Sequence, residues 1–143
     1  MCSSPADPTP VQRVTELYDR YAAGDRDCVL DALAEDVVWT SHGGELLPWS
    51  GRHEGRAGVE AYFRQLDAEL KVTFYRCERI IAQGGWVAVQ ASVRTSFRGG
   101  PEQAFAKVDL LRLDGDRLAE FHEYYDSASL TRCVLEARAA PGG

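Results

Sequence analysis

Four runs of strand-forming residues close the chain, and the breaks between them constrain its fold more than any other feature. The runs cover roughly Lys71 to Ala82, Trp86 to Phe97, Ala104 to Leu113 and Leu118 to Asp126. Gly84-Gly85, Arg98-Gly99-Gly100-Pro101 and Asp114-Gly115-Asp116 separate them, so each neighbouring pair is able to close as an antiparallel hairpin.

Helix signals precede this meander. Thr9 caps a first helix, Pro10 supplies a pre-set dihedral at its first position, and Gln12 stands where a capping-box partner reaches back. Val11, Val14, Leu17, Tyr18 and Tyr21 form one apolar stripe, and Gly24 suits the stop. Asp25 caps a short second helix that turns Cys28, Val29, Ala32 and Leu33 inward. Val37 to Ser41 reads as a first strand, and Val59, Tyr62, Phe63 and Leu66 mark a third helix. Between them, His42 to Gly55 is a glycine-rich irregular segment suited to a rim or lid. Ser127 to Ala139 is suited to a last helix.

Helices followed by a strand meander predict an α+β fold. Three helices from the N-terminal half would lie across a curved antiparallel sheet and enclose a cone-shaped pocket. The expected organisation is a loose tail over residues 1–9, a single domain over 10–139 and a loose tail over 140–143. With 143 residues, 45% of them hydrophobic, the chain carries enough apolar content for one core. Its net charge of -6 and lack of a basic run oppose nucleic-acid binding. No apolar run is long enough to span a bilayer. Cys2, Cys28, Cys77 and Cys133 lie far apart, which favours neither a zinc site nor a disulfide framework and suits a reducing cytoplasm.

Chemistry-bearing residues concentrate on the last two strands. Phe121-His122-Glu123-Tyr124-Tyr125-Asp126 puts acidic, phenolic and imidazole groups on one strand, where a purely structural strand alternates apolar residues with inert polar ones. Glu123 is the first acid/base candidate, because a carboxylate in a low-dielectric pocket exchanges protons near neutral pH. A three-residue loop at Asp114-Gly115-Asp116 sets Lys107 opposite Glu123, either as a structural ion pair or as a site pair that holds Glu123 ionised. Asp109 interrupts an apolar strand, and an inward carboxyl there needs a partner or a proton.

Tyr125 shares the face of Glu123 and is a candidate donor to an oxyanion. Strand alternation turns His122 to the opposite face, His53 falls in a solvated loop, and His42, following the first strand at the start of the glycine-rich rim, is a further acid/base candidate. Trp39, Tyr18, Phe63 and Phe121 supply an apolar wall or plain core, with Ser41 as a ligand contact. No histidine pair has metal-ligand spacing with a carboxylate. Burial of Val87, Val89, Ala91 and Val93 turns Gln90, Ser92, Arg94 and Ser96 toward solvent or a partner subunit.

Four motifs in order carry a family resemblance: Tyr21-Ala22-Ala23-Gly24-Asp25, the run from Ala34 to Trp39, the run from Gly51 to Val59, and Asp114-Gly115 leading to Glu123-Tyr124-Tyr125-Asp126. Over roughly residues 10 to 130 the chain resembles the SnoaL-like branch of the nuclear-transport-factor-2-like superfamily, which includes polyketide cyclases, a steroid isomerase, epoxide hydrolases, dehydratases and binding proteins. Asp109 looks like the neutral, hydrogen-bond-donating acid of ketosteroid isomerase. That enzyme's general base falls on Ser41 and its helix-one tyrosine on Leu17, which disfavours steroid isomerisation. Glu123 corresponds to the water-activating aspartate of limonene-type epoxide hydrolases and to the acid/base aspartate of SnoaL-type cyclases. The Arg and second Asp of the hydrolases fall near Gln90 and Ser92, so that set looks broken.

The resemblance implies a cofactor-independent enzyme that cyclises, isomerises or dehydrates an apolar oxygenated substrate, polyketide- or terpenoid-like, in bacterial secondary metabolism. A cystatin-like α+β barrel and a homodimer built on the outer sheet face are implied with it. In that reading Glu123, Asp109, Tyr125 and His42 are catalytic, while Trp39, Ser41, Tyr18, Phe63, Lys107 and Phe121 bind substrate. The alternatives are a noncatalytic binding or dimerisation module, an epoxide hydrolase or epoxide-opening cyclase, and a small subunit assisting a larger enzyme.

Overall fold

The structure, a computed structural model, describes residues 7–140. Of the expected loose ends, residues 1–6 and 141–143 lie outside the described residues, as does Cys2. The elements run α1 (Pro10–Ala22), α2 (Arg26–Ala32), β1 (Leu33–His42), β2 (Gly51–Glu54), α3 (Gly55–Glu69), β3 (Leu70–Gln83), β4 (Trp86–Phe97), β5 (Glu102–Asp114), β6 (Arg117–Tyr125) and α4 (Ser127–Ala139).

Local chemistry sets the first helices where the sequence places them. The Thr9 hydroxyl accepts from the Gln12 amide at 3.1 Å while the Gln12 side chain accepts from the Thr9 amide at 2.8 Å, closing the capping box. The Asp25 carboxylate accepts from the Cys28 amide in the same way at the start of α2. Val14 and Tyr18 of α1 and Val59, Tyr62, Phe63 and Leu66 of α3 are buried against the sheet.

Six strands form one sheet in the order β2-β1-β6-β5-β4-β3. The three hairpins from β3 to β6 are antiparallel as expected, but β1 lies parallel to β6, so the sheet is mixed. No tight turn joins those two strands; β2, α3 and three strands intervene, and a connection of that length permits the parallel arrangement. Two further expectations need correction. Leu33 does not end α2 but opens β1, paired with Leu118, and the segment expected to be irregular contains β2.

The β5–β6 turn also differs from the expected three-residue loop. Asp114 pairs with Arg117, leaving Gly115 and Asp116 at the tip, and Gly115 adopts φ 62°, a left-handed value that glycine accepts without strain. A bulge after Arg112 then shifts the register by one residue. As a result Asp109, not Lys107, stands directly across from Glu123. Among the described residues no helix is long and apolar enough to cross a membrane.

Candidate active site

The register of β5 against β6 places two carboxylates face to face in the interior. Asp109 is 1% exposed and Glu123 is 4% exposed. Facing acids repel, and burial penalises both charges, so such a pair persists only with a cation or a proton. Lys107 supplies the cation from two residues along β5: its Nζ lies 2.9 Å from Glu123 Oε2 and 3.1 Å from Asp109 Oδ1.

The two acids are held differently. Glu123 Oε1 accepts from the Ser41 hydroxyl and the Tyr62 phenol, each at 2.7 Å, and Oε2 accepts from Lys107. Asp109 Oδ2 accepts from the Tyr18 phenol at 2.5 Å and the Tyr75 phenol at 3.0 Å. Its other oxygen, Oδ1, meets the Lys107 ammonium in an ion pair but makes no well-formed hydrogen bond.

The pKa values separate accordingly. Burial is the largest influence on Asp109 and raises its pKa; the Glu123 charge adds to the rise, and Lys107 and the Tyr18 hydrogen bond offset only part of it. Burial also opposes ionisation of Glu123, but the Lys107 charge and the Ser41 and Tyr62 hydroxyls outweigh it and hold its pKa below the ordinary range. Lys107 is desolvated too, yet the two acids raise its pKa and keep it an ammonium. Burial and the neighbouring carboxylates raise the pKa of Tyr18, Tyr62 and Tyr75, so all three remain donors at neutral pH.

Around this centre lie two hollows. The first, about 60 Å³, is walled by aromatic rings and has both acids and Lys107 on its lining. The second, about 70 Å³, lies toward Tyr125, Trp49 and Leu130 of α4, and Tyr21, Tyr62, Tyr75, Lys107 and Glu123 border both. A larger surface cleft of about 560 Å³ shares Tyr21 and Tyr75 with both hollows. Tyr125 donates to Ser41 at 2.7 Å, because the Ser41 proton goes to Glu123, and accepts from the Trp49 indole at 3.0 Å. Gly43 makes room for that phenol, since a Cβ there would collide with the Tyr125 oxygen.

Of the residues singled out from sequence, Glu123, Asp109, Lys107, Tyr18, Trp39, Phe63 and Phe121 line the first hollow. Ser41 touches Glu123, and Tyr125 borders the second hollow. His42 does not join them. Ser41 points inward, so strand alternation turns His42 to the outer face, where it stacks on Tyr124 and lies 3.1 Å from His122; burial and His122 lower its pKa. His53 is not a loop residue but part of β2, within 2.8 Å of the Trp49 carbonyl.

Two points of the family comparison also change. Tyr18, not Leu17, is the helix-one residue that reaches Asp109. A cation and second acid do stand beside Glu123, at Lys107 and Asp109, whereas Gln90 and Ser92 lie on the outer face. Sequence patterns do not mark Tyr62 and Tyr75 as site residues. Tyr62 sits at ordinary core spacing on α3, and β3 carries register shifts before Phe74 and before Arg79 that hide which of its residues face in.

Residues 14–121 match the SnoaL-like domain family. The chain belongs to that family. No curated protein sequence matches it. Among solved structures, this SnoaL-like chain is similar to an NTF2-like protein of unknown function from Burkholderia pseudomallei, 25% identical, with a TM-score of 0.82 over 90% of this chain and 98% of the other. It shares its fold with TerC co-crystallised with polyporic acid, at 15% identity, TM-score 0.78, 89% and 99% coverage. An LEH-like epoxide hydrolase of M. tuberculosis has the same fold at 19% identity, TM-score 0.68, with 92% of each chain covered.

Removing the cation tests the electrostatics. Lys107→Met takes from Glu123 the cation that holds it ionised and from Asp109 the charge that offsets its burial, so the facing pair must keep a proton with a pKa further above its unfolded value than in wild type. A raised pKa gives stability that is full below the unfolded pKa and is lost as pH rises through the folded one. Urea unfolding is therefore expected to show the variant less stable than wild type by about 3 kcal/mol near pH 7, with much of the deficit recovered at about pH 5. A deficit equal at both pH values contradicts the facing-acid account.

Proposed function

We propose that this SnoaL-like protein is an acid/base enzyme that breaks a C–O bond in a small, apolar, oxygenated molecule, with Asp109 as acid and Glu123 as base. The observation that carries the reading is the opposite displacement of two facing carboxyls in one hollow. Environments that push two acids apart divide the roles between donor and acceptor. With Oδ2 occupied by two phenols and Oδ1 meeting only the Lys107 ammonium, the protonated form of Asp109 carries its proton on Oδ1. From there it passes to the substrate oxygen as the C–O bond breaks, while Glu123 takes a proton from the incoming or neighbouring group.

Opening of an epoxide by water or by an internal hydroxyl suits this arrangement best. In that step the nucleophile's oxygen forms the new C–O bond and yields its proton to Glu123, the ring oxygen takes the Asp109 proton, and solvent exchange restores both acids. Dehydration uses the same pair, with Glu123 removing a C–H proton and Asp109 protonating the departing hydroxyl. Lys107 keeps Glu123 ionised, and Trp39, Phe63 and Phe121 exclude water. The fold shared with an epoxide hydrolase and with a protein crystallised with the small molecule polyporic acid is consistent with such a substrate, and polyketide- or terpenoid-like compounds of bacterial secondary metabolism are the proposed source.

A binding module without catalysis is the second reading, favoured by the complete set of partners around Glu123. Diol formation from a small epoxide, cyclopentene oxide, separates the two. Wild type is expected to accelerate opening, and Asp109→Asn and Glu123→Gln each to reduce it by about 10²-fold or more with circular dichroism unchanged. Unimpaired opening by Asp109→Asn removes Asp109 as the acid; binding of the epoxide without opening favours the module.

We also propose that the outer sheet face pairs two copies of the chain. It exposes Phe74, Ile81, Val108 and Tyr124 beside the His42–His122 pair, an apolar area that a second copy would cover. Sedimentation equilibrium is expected to give a dimer that Tyr124→Lys weakens. A monomer at all concentrations rejects this pairing.

A further inference from the structure

Two buried side-chain polar atoms lack a hydrogen-bond partner among the described residues: Asp109 Oδ1 and Trp39 Nε1. Both residues line the first hollow. Asp109 is accounted for by its acid role. Trp39 is not, since its position in the wall needs only a ring: it stacks on Phe121 at 3.8 Å and packs against Tyr62 and Phe63. A phenylalanine would fill an apolar wall without burying an unmet N–H, and buried donors are nearly always paired.

We propose that the Trp39 indole N–H is the hydrogen-bond donor for a neutral carbonyl oxygen on the ligand, a second polar handle apart from the oxygen that Asp109 protonates. The inference rests on the reading that this hollow admits the substrate. An indole N–H only donates, so its partner must bring a lone pair. An anionic partner is disfavoured, because Glu123 is ionised beside the hollow and the one lining cation, Lys107, is already shared between two carboxylates. A cation gains nothing from a donor and is repelled by Lys107. A neutral oxygen acceptor in an apolar wall satisfies all three conditions, and a carbonyl oxygen, with two exposed lone pairs at the end of a short double bond, is an acceptor of this kind.

Acetone and isobutene, which have nearly the same shape, differ in whether oxygen or CH2 occupies the acceptor position. Titration of each into the full-length protein, followed by the indole 1H–15N resonances, reads the contact directly; Trp39→Phe assigns the Trp39 signal among the three tryptophans. Acetone is expected to move the Trp39 indole proton downfield and isobutene is not. Trp39→Phe, which keeps an aromatic ring, is expected to weaken acetone by about tenfold and leave isobutene binding nearly unchanged. The absence of an acetone-specific shift at the highest attainable concentration overturns the assignment, whether or not isobutene enters. So does equal weakening of both ligands in Trp39→Phe. If that variant does not fold, Trp49→Phe and Trp86→Phe identify the Trp39 signal by elimination, and the comparison of the two ligands in wild type still decides. A silent Trp39 signal together with epoxide opening rejects only the Trp39 contact, whereas a responsive signal without opening rejects only the acid/base reading.

Discussion

One ammonium group between two buried carboxylates governs this structure. Lys107 reaches both Asp109 and Glu123, but a single positive charge cannot fully compensate two negative ones. An uncompensated buried carboxylate costs several kcal/mol, and each unit by which burial raises a carboxyl pKa is about 1.4 kcal/mol of that penalty, so the acid with the poorer partners is shifted toward its protonated form. Which acid takes it depends on the remaining partners. Glu123 has a hydroxyl, a phenol and a hydrogen bond from the ammonium, whereas Asp109 has two phenols and an ion-pair contact that makes no well-formed hydrogen bond. The asymmetry that divides acid from base thus follows from partner count around otherwise similar groups.

Building that centre draws on most of the domain. Tyr18 comes from α1, Ser41 from β1, Tyr62 from α3, Tyr75 from β3, and the acids with their lysine from β5 and β6. The parallel pairing of β1 with β6 sets Ser41 directly beside Glu123, and the β5–β6 bulge sets Glu123 opposite Asp109. A register error of one residue at that bulge would turn either acid to the outer face, because strand side chains alternate. The fold therefore cannot be altered in these strands without altering the site's protonation.

Strand alternation made much of this legible in the sequence. It put Glu123 inward and His122 outward on β6, and the apolar neighbours of Asp109 marked that acid as buried before any packing was known. Capping chemistry placed α1 and α2 for the same reason: both depend on residues three apart. What alternation could not reveal depended on pairings distant in sequence or on bulges. The two-residue turn and the bulge behind it together moved Lys107 from opposite Glu123 to diagonal, and the β3 irregularities concealed the inward phenol of Tyr75. Tyr62 gave no signal apart from core spacing, since its role follows only from what its hydroxyl reaches. His42 was the opposite case, a reactive residue type whose strand position points it away from the acids.

The division of charge between the two facing acids is best measured by carboxyl 13C NMR titration of the wild-type protein, with Asp109→Asn and Glu123→Gln for assignment. The account predicts that Asp109 titrates above the ordinary aspartate value of about 3.9 and Glu123 below the ordinary glutamate value of about 4.3. Both acids titrating below their ordinary values, as two fully paired structural carboxylates would, contradicts it.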